Sequence, residues 1–198
     1  MDLLPVKRAI LSVTDKTGLA EFGRFLVDNG CELVSTGGTK KMLSEAGLPV
    51  TSVSDVTDFP EILGGRVKTL HPNIHAGILA DKDDEVHMET LRDFGIEPFD
   101  LICVNLYNFA AAVAKGLDLR AAVEQIDIGG PTMLRATAKN FHSICVVPDP
   151  KYYAKVQEEI GKSGGLSLAF RKDMAALTFK LTSEYDAMIT KYLSENDA

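Results

Sequence analysis

Cysteine is scarce in this chain: Cys31, Cys103 and Cys145 are an odd number, far apart, and each sits inside an apolar run. That pattern offers neither a disulfide framework nor metal-ligand spacing, and it reads as three reduced core residues. Positive charge is not in excess either. The 21 Lys and Arg stand against 28 Asp and Glu for a net charge of -7, which argues against a protein that coats nucleic acid or anionic lipid through its overall field. No apolar run approaches the roughly 20 residues of a membrane helix, and there is no internal repeat or low-complexity segment. The opening Met-Asp-Leu-Leu-Pro-Val-Lys-Arg lacks the pattern of a secretory signal, so a cytoplasmic protein is expected.

What is present is a βα rhythm. With 198 residues and 45% hydrophobic content, the chain can bury a substantial core without staples. Ala9 to Val13 is a short apolar run that passes through Thr14 to Gly18 into helical spacing at Leu19, Phe22, Phe25 and Leu26. Cys31 to Ser35 reads as a second strand, Thr36 to Thr39 as a tight turn, and Lys40 to Ala46 as a helix closed by Gly47. Leu101 to Asn105 and Ser143 to Val147 have the continuous apolar character of central parallel strands. Helical patterns cover about Asp84 to Phe94, Leu119 to Gln125 and Pro131 to Lys139. The expectation is an α/β domain over residues 1–150, a parallel sheet flanked by helices. Residues 151–198 are expected to form a helical C-terminal extension packing on it, with Tyr152 to Ile160 and Leu166 to Leu193 as its helices.

Four segments concentrate chemistry. Gly64 to Leu79 places Arg66, Lys68, Thr69 and His71 close behind a glycine pair; if extended, Arg66 and Lys68 share a face toward one anion while Val67 turns away. Ser35-Thr36-Gly37-Gly38-Thr39, where a strand meets a helix, is a ready phosphate cradle. It is neither a Walker loop nor a dinucleotide fingerprint, and it is equally a plain glycine turn with an N-cap threonine. Asp15-Lys16-Thr17-Gly18 is the equivalent turn after the first strand, so both open at one sheet edge. Asn105 and Tyr107 end a buried strand at that edge, where Asn can read a heterocycle and Tyr can stack or pass a proton. In Asp127 to Asn140, a carboxylate, the Gly129-Gly130 amides and two cations four apart, Arg135 and Lys139, are gathered; a solvated basic stripe on an amphipathic helix is the alternative. His71 and His75 are four apart, but Pro72 interrupts them and no third ligand is near, so no metal site is expected.

Taken together, Leu11 to Gly18, Ser35 to Thr39, Gly64 to Pro72, Asp100 to Tyr107 and Gln125 to Arg135 onward to Lys139-Asn140 resemble the IMP cyclohydrolase domain, the N-terminal part of the bifunctional purine biosynthesis protein that also carries AICAR transformylase activity. The resemblance implies a methylglyoxal-synthase-like fold, a homodimer, no cofactor, and closure of 5-formamido-imidazole carboxamide ribotide (FAICAR) to IMP with loss of water. It implies that Thr14, Asp15, Lys16, Ser35, Thr36, Gly37, Gly38, Arg66, Val67, Lys68 and Thr69 bind the ribose 5'-phosphate side, with Ser12 a further substrate-binding residue. By the same resemblance Asn105, Tyr107, Asp127, Ile128 and Gly129 face the base, with Lys139 as proton carrier and Lys68, Tyr107 and Asp127 beside it. Crowding by Arg66, Lys68 and Arg135 is expected to lower the Lys139 pKa. The family usually has proline where this chain has Asn108 and alanine where it has Thr137. The transformylase half is not in this sequence, so a fused or separate transformylase is an expected partner. Methylglyoxal synthase, which relies on acidic bases, and a purely regulatory phosphate-binding module are the rival classes.

Overall fold

The structure, a computed structural model, describes residues 1–107, 109, 113–114 and 116–196. Its centre is one sheet of five parallel strands in the order β4-β3-β2-β5-β6, formed by β2 (Arg8–Ser12), β3 (Glu32–Ser35), β4 (Thr51–Ser52), β5 (Leu101–Val104) and β6 (Cys145–Val147). The apolar runs of β2, β3, β5 and β6 are buried, as strands covered on both faces must be. Ile10 pairs with Val34 on one side and Ile102 on the other, which sets the register of the middle of the sheet. From β2 the chain proceeds to β3 on one side, and β5 lies on the other. The carboxyl ends of β2 and β5 therefore flank a topological switch point, where such sheets open a crevice.

Two groups of helices cover the sheet. One comprises α1 (Leu19–Asp28), α2 (Gly37–Glu45) and, later in the chain, the helix Tyr153–Ser163. Between α2 and β5 lie α3 (Val53–Thr57), α4 (Pro72–Leu79) and α5 (Glu85–Asp93). They are followed by α6 (Leu119–Val123), α7 (Gly129–Lys139), α8, the Tyr153–Ser163 helix, and α9 (Leu168–Glu195). The second covering group is α4, α7 and α9, with α7 lying on β5 and β6. Phe22 of α1 stacks on Tyr153 of α8 at 4.2 Å between ring centroids, an aromatic contact that locks the first group. The three cysteines are buried, and burial pushes each thiol up to about 12. Among the described residues no helix is long and apolar enough to cross a membrane.

The sheet and its flanking helices follow the sequence expectation, with local differences. Gly37 and Gly38 are the first turn of α2, not a turn before it. His71-Pro72 starts a helix that the periodicity did not predict: Pro72 takes the first helical position and His71 caps it, its Nδ1 accepting from the Asn73 N–H at 3.2 Å. Arg66 has α-region dihedrals after the short 3-10 turn Leu63–Gly65, so the Arg66 to Lys68 segment is not extended as expected. Leu166–Ser167 is a two-residue strand, β7, antiparallel to β1 (Leu3–Leu4), and the long helix begins only at Leu168. Beneath that junction the fully buried Arg171 guanidinium donates to the carbonyls of Met1 and His142 at 2.6 Å and of Ser167 at 3.3 Å.

Candidate functional site

The carboxyl ends of β2, β3 and β5 are tied together by side chains. Asn105, just past β5, accepts on Oδ1 from the Thr14 and Asp15 N–H groups at 2.7 and 3.0 Å and donates from Nδ2 to the Asp15 carbonyl at 2.9 Å. Its amide is thus engaged in holding the first turn, and one N–H remains for a ligand. The expected role of reading a heterocycle is reduced accordingly. Ser12 and Thr36 share a hydroxyl hydrogen bond of 2.7 Å, and Thr39, the last residue of the expected cradle, accepts from the Val13 N–H at 3.1 Å and donates to the Val13 carbonyl at 3.0 Å.

Into this edge points the N-terminus of α2. Thr36 is extended, Gly37 has φ +40°, and the amides of the first turn are turned outward with the positive end of the helix dipole behind them. A Cβ on Gly37 would stand 3.8 Å from the Lys68 Nζ, so the ammonium lies beside that turn. Lys16 and Arg66 line the same cleft. Each cation from the Gly64 segment has a carboxylate partner: Lys68 pairs with Glu61 at 3.0 Å, and Arg66 pairs with Glu124. Neither glutamate was singled out in the sequence, because only folding sets them opposite these cations.

Across the cleft, Asp127 stands just before α7. Its Oδ1 accepts from the Gly130 N–H at 2.9 Å, and its own N–H donates to the Tyr185 Oη at 2.8 Å. Burial raises the Asp127 carboxyl pKa, against the lowering pull of the Gly130 N–H and the nearby Lys68 charge. Gly129 and Gly130 are required here. A Cβ on Gly129 would meet Thr69 Oγ1 at 2.9 Å, and one on Gly130 would press on the Asp127 carboxylate.

These residues line one cleft of about 1050 Å³, roomy enough for a small-molecule ligand. Of the expected site residues, Lys68, Tyr107 and Asp127 line it, as do Ser12, Thr14, Lys16, Thr36, Gly37, Gly38, Arg66, Thr69, Asn105, Ile128 and Gly129. Tyr107 is mostly exposed at its mouth. Four expected residues are not brought in. Ser35 is fully buried and spends its hydroxyl on the Leu11 carbonyl at 2.6 Å. Asp15 turns its carboxylate to the Thr17 N–H at 2.9 Å, which lowers its pKa. Val67 sits in the bridge to Ile62 rather than in the cleft. Lys139 is exposed at the end of α7 remote from Gly129, and ten residues of helix put the two about 15 Å apart. Of the cations expected to crowd Lys139, Arg66 and Lys68 belong to the cleft at the other end of that helix, and only Arg135, one turn away on α7, shares its end. Thr137 is buried with its hydroxyl bonded to the Met133 carbonyl at 2.7 Å; Asn108 lies outside the described residues. Among the described residues no three His, Cys, Asp or Glu side chains are grouped to hold a metal ion.

Comparison with known proteins gives matches over nearly all of the chain. The MGS-like domain matches residues 18–132, and the AICARFT/IMPCHase bienzyme matches residues 137–198. The bifunctional purine biosynthesis protein PurH of Lacticaseibacillus paracasei is 55% identical over 189 residues, covering 95% of this chain and 37% of that protein. PurH of Mesorhizobium japonicum is 52% identical over 195 residues, 98% of this chain and 36% of that protein, and PurH of Ruminiclostridium cellulolyticum is 49% identical over 191 residues. The chain thus spans little more than a third of the curated relatives it matches. The solved structure described as the crystal structure of ForH has 32% sequence identity and a TM-score of 0.85, covering 95% of this chain and 97% of that one.

Proposed function

The chain belongs to the MGS-like domain family, and from that premise we propose that it serves purine biosynthesis as an IMP cyclohydrolase, closing FAICAR to IMP. The observation that carries this reading is the cleft itself. One wall presents helix amides with Lys16 and Arg66 for a phosphate, the facing wall presents the half-buried Asp127 carboxylate for the base, and Lys68 stands between them. A site for a triose phosphate needs less room, and a regulatory phosphate module needs no carboxylate opposite the phosphate. The PurH relatives support a place in purine biosynthesis, being bifunctional purine biosynthesis proteins by name.

In ring closure the carboxamide nitrogen attacks the formyl carbon on the same imidazole, so the substrate supplies much of the proximity. The new N–C bond forms as the formyl oxygen gains a proton. The resulting hydroxyl then leaves as water, taking a proton from the ring nitrogen, and the C=N bond of the purine remains. The protein's share is to hold the two substituents coplanar and to move protons. Asp127, with its raised pKa and the Gly129 and Gly130 amides beside it, fixes the carboxamide and takes its proton, and Lys68 stabilises the oxygen that becomes hydroxyl. Tyr107 closes the mouth over the base. Lys139, the proton carrier by resemblance, is out of reach of its own chain's cleft and takes part only across the homodimer that the resemblance implies. A transformylase, fused or separate, supplies the formylated substrate in this reading. The assay is direct: FAICAR is added and purine formation followed in the ultraviolet, with dihydroxyacetone phosphate as parallel substrate. Turnover of the latter alone, or of neither, defeats the reading.

A further inference from the structure

We propose that Tyr185 is a positioning residue of this site: its phenol, carried in by the long C-terminal helix, holds the Asp127 backbone in the attitude that aims its carboxylate into the cleft. The inference rests on the ring-closure reading and adds a residue that this reading lacks. The Asp127 N–H donates to Tyr185 Oη at 2.8 Å although the two are 58 residues apart in sequence. Three residues on, the Gly130 N–H holds Asp127 Oδ1 at 2.9 Å. Asp127 is thereby pinned twice, at its main chain by α9 and at its side chain by α7, and the rotation that would swing the carboxylate out of the cleft breaks one bond or the other. Tyr185 itself is 4% exposed and does not line the cleft, so it acts on a ligand only through Asp127. Burial also raises its phenol pKa, so the oxygen that accepts the amide stays neutral near neutral pH. The geometry makes the C-terminal helix part of the site's architecture.

The test is Tyr185→Phe, which keeps the buried ring and deletes only the oxygen, read beside Asp127→Asn and the double variant. Thermal melting first establishes that all three are folded. For Tyr185→Phe the expected result is loss of hydrogen-exchange protection at the Asp127 amide and a fall in kcat of about ten-fold with KM within about two-fold of wild type. Because Tyr185 acts through Asp127, the double variant should be no slower than Asp127→Asn alone. A merely structural role would not give that non-additivity. Full kcat in Tyr185→Phe, retained amide protection, or losses that multiply in the double variant would overturn the inference while leaving ring closure intact. A wild-type chain unable to close FAICAR would instead overturn the underlying reading, and the inference with it.

Discussion

The Lys68 ammonium and the Glu61 carboxylate form an ion pair at 3.0 Å beside the first turn of α2. Gly65, at φ +93°, makes the contact possible, since a Cβ there would stand 2.6 Å from a Glu61 carboxylate oxygen. An anionic ligand at the α2 amides competes with Glu61 for the same ammonium. Glu61→Gln should therefore tighten inorganic phosphate binding about three-fold, the scale of a partly exposed pair worth at most about 1 kcal/mol. Calorimetric titration at low and high salt checks this: the gain should shrink with salt, and unchanged or weaker binding would show that Glu61 orients Lys68 rather than competing for it.

Gly130 and Gly38 should separate structure from binding. A Cβ on Gly130 would lie 3.0 Å from the Asp127 carboxyl carbon and 3.0 Å from a Leu106 methyl, caught between the two side chains. Gly130→Ala should cost about 1–3 kcal/mol by overpacking, and turnover should fall more than about ten-fold because Asp127 is pushed from its place. Gly38 has nothing within 4 Å of such a Cβ, so Gly38→Ala should melt with the wild type and lose only phosphate affinity. Equal melting temperatures for the two variants would contradict the packing.

Most of this edge of the sheet was legible beforehand, for physical reasons. Continuous apolar runs such as Leu101 to Val104 report burial on both faces, and glycine-rich turns after them report where backbone amides are free. The helix Pro72–Leu79 escaped notice although its signal was present: a histidine cap followed by proline at the first helical position. Ser35 and Asp15 stand outside the cleft lining because a hydroxyl or carboxylate in a site motif satisfies nearby backbone as readily as a ligand. Lys139 shares a helix with Gly129, and nearness in sequence along a helix is distance in space. The bond from Asp127 to Tyr185 and the pairs with Glu61 and Glu124 were illegible, since each joins residues that only the tertiary fold brings together.

Asp127 should give the protein a distinctive pH dependence. Its raised pKa means that the folded chain holds the proton to higher pH than the unfolded chain does. The stability from this group is full below the unfolded-state pKa and is lost as pH rises through the folded one. Asp127→Asn, whose amide oxygen can still accept from Gly130, should thus be more stable than wild type at neutral pH while being catalytically poor. Melting curves between about pH 4 and pH 8 should show that advantage disappearing on acidification, and a difference independent of pH would rule the carboxyl out as its source.

Lys139→Ala should leave nucleotide binding within about two-fold of wild type, since the residue is exposed and about 15 Å along α7 from the cleft. Turnover decides its part in the chemistry. Near-normal kcat removes Lys139 from the mechanism. If kcat falls, mixing these chains with Asp127→Asn chains should restore activity, because a hybrid pair then holds one cleft with an intact Asp127 and a lysine from the other copy.

Arg171 tests what fastens the C-terminal helix to the sheet. Its guanidinium is fully buried and ends on three carbonyls, those of Met1, His142 and Ser167, which belong to the N-terminal segment, the loop before β6 and the β7-α9 junction. Replacing it with Met, of similar length, relieves the cost of burying a charge. It also strands three acceptors, each worth about 1–3 kcal/mol when left unsatisfied in the interior. Met1 and His142 are exposed residues and Ser167 is half-buried, so water recovers part of that cost, but the three lost bonds still outweigh the relief. The expected net loss is about 2–4 kcal/mol, a fall in Tm on the order of 10 °C for a chain of this size. The contact sits near the amino end of β6, opposite the cleft, so kcat measured well below the melting temperature should stay near normal. A variant that melts like the wild type would show that β1-β7 pairing and the packing of α9 on α7 hold the helix without this residue.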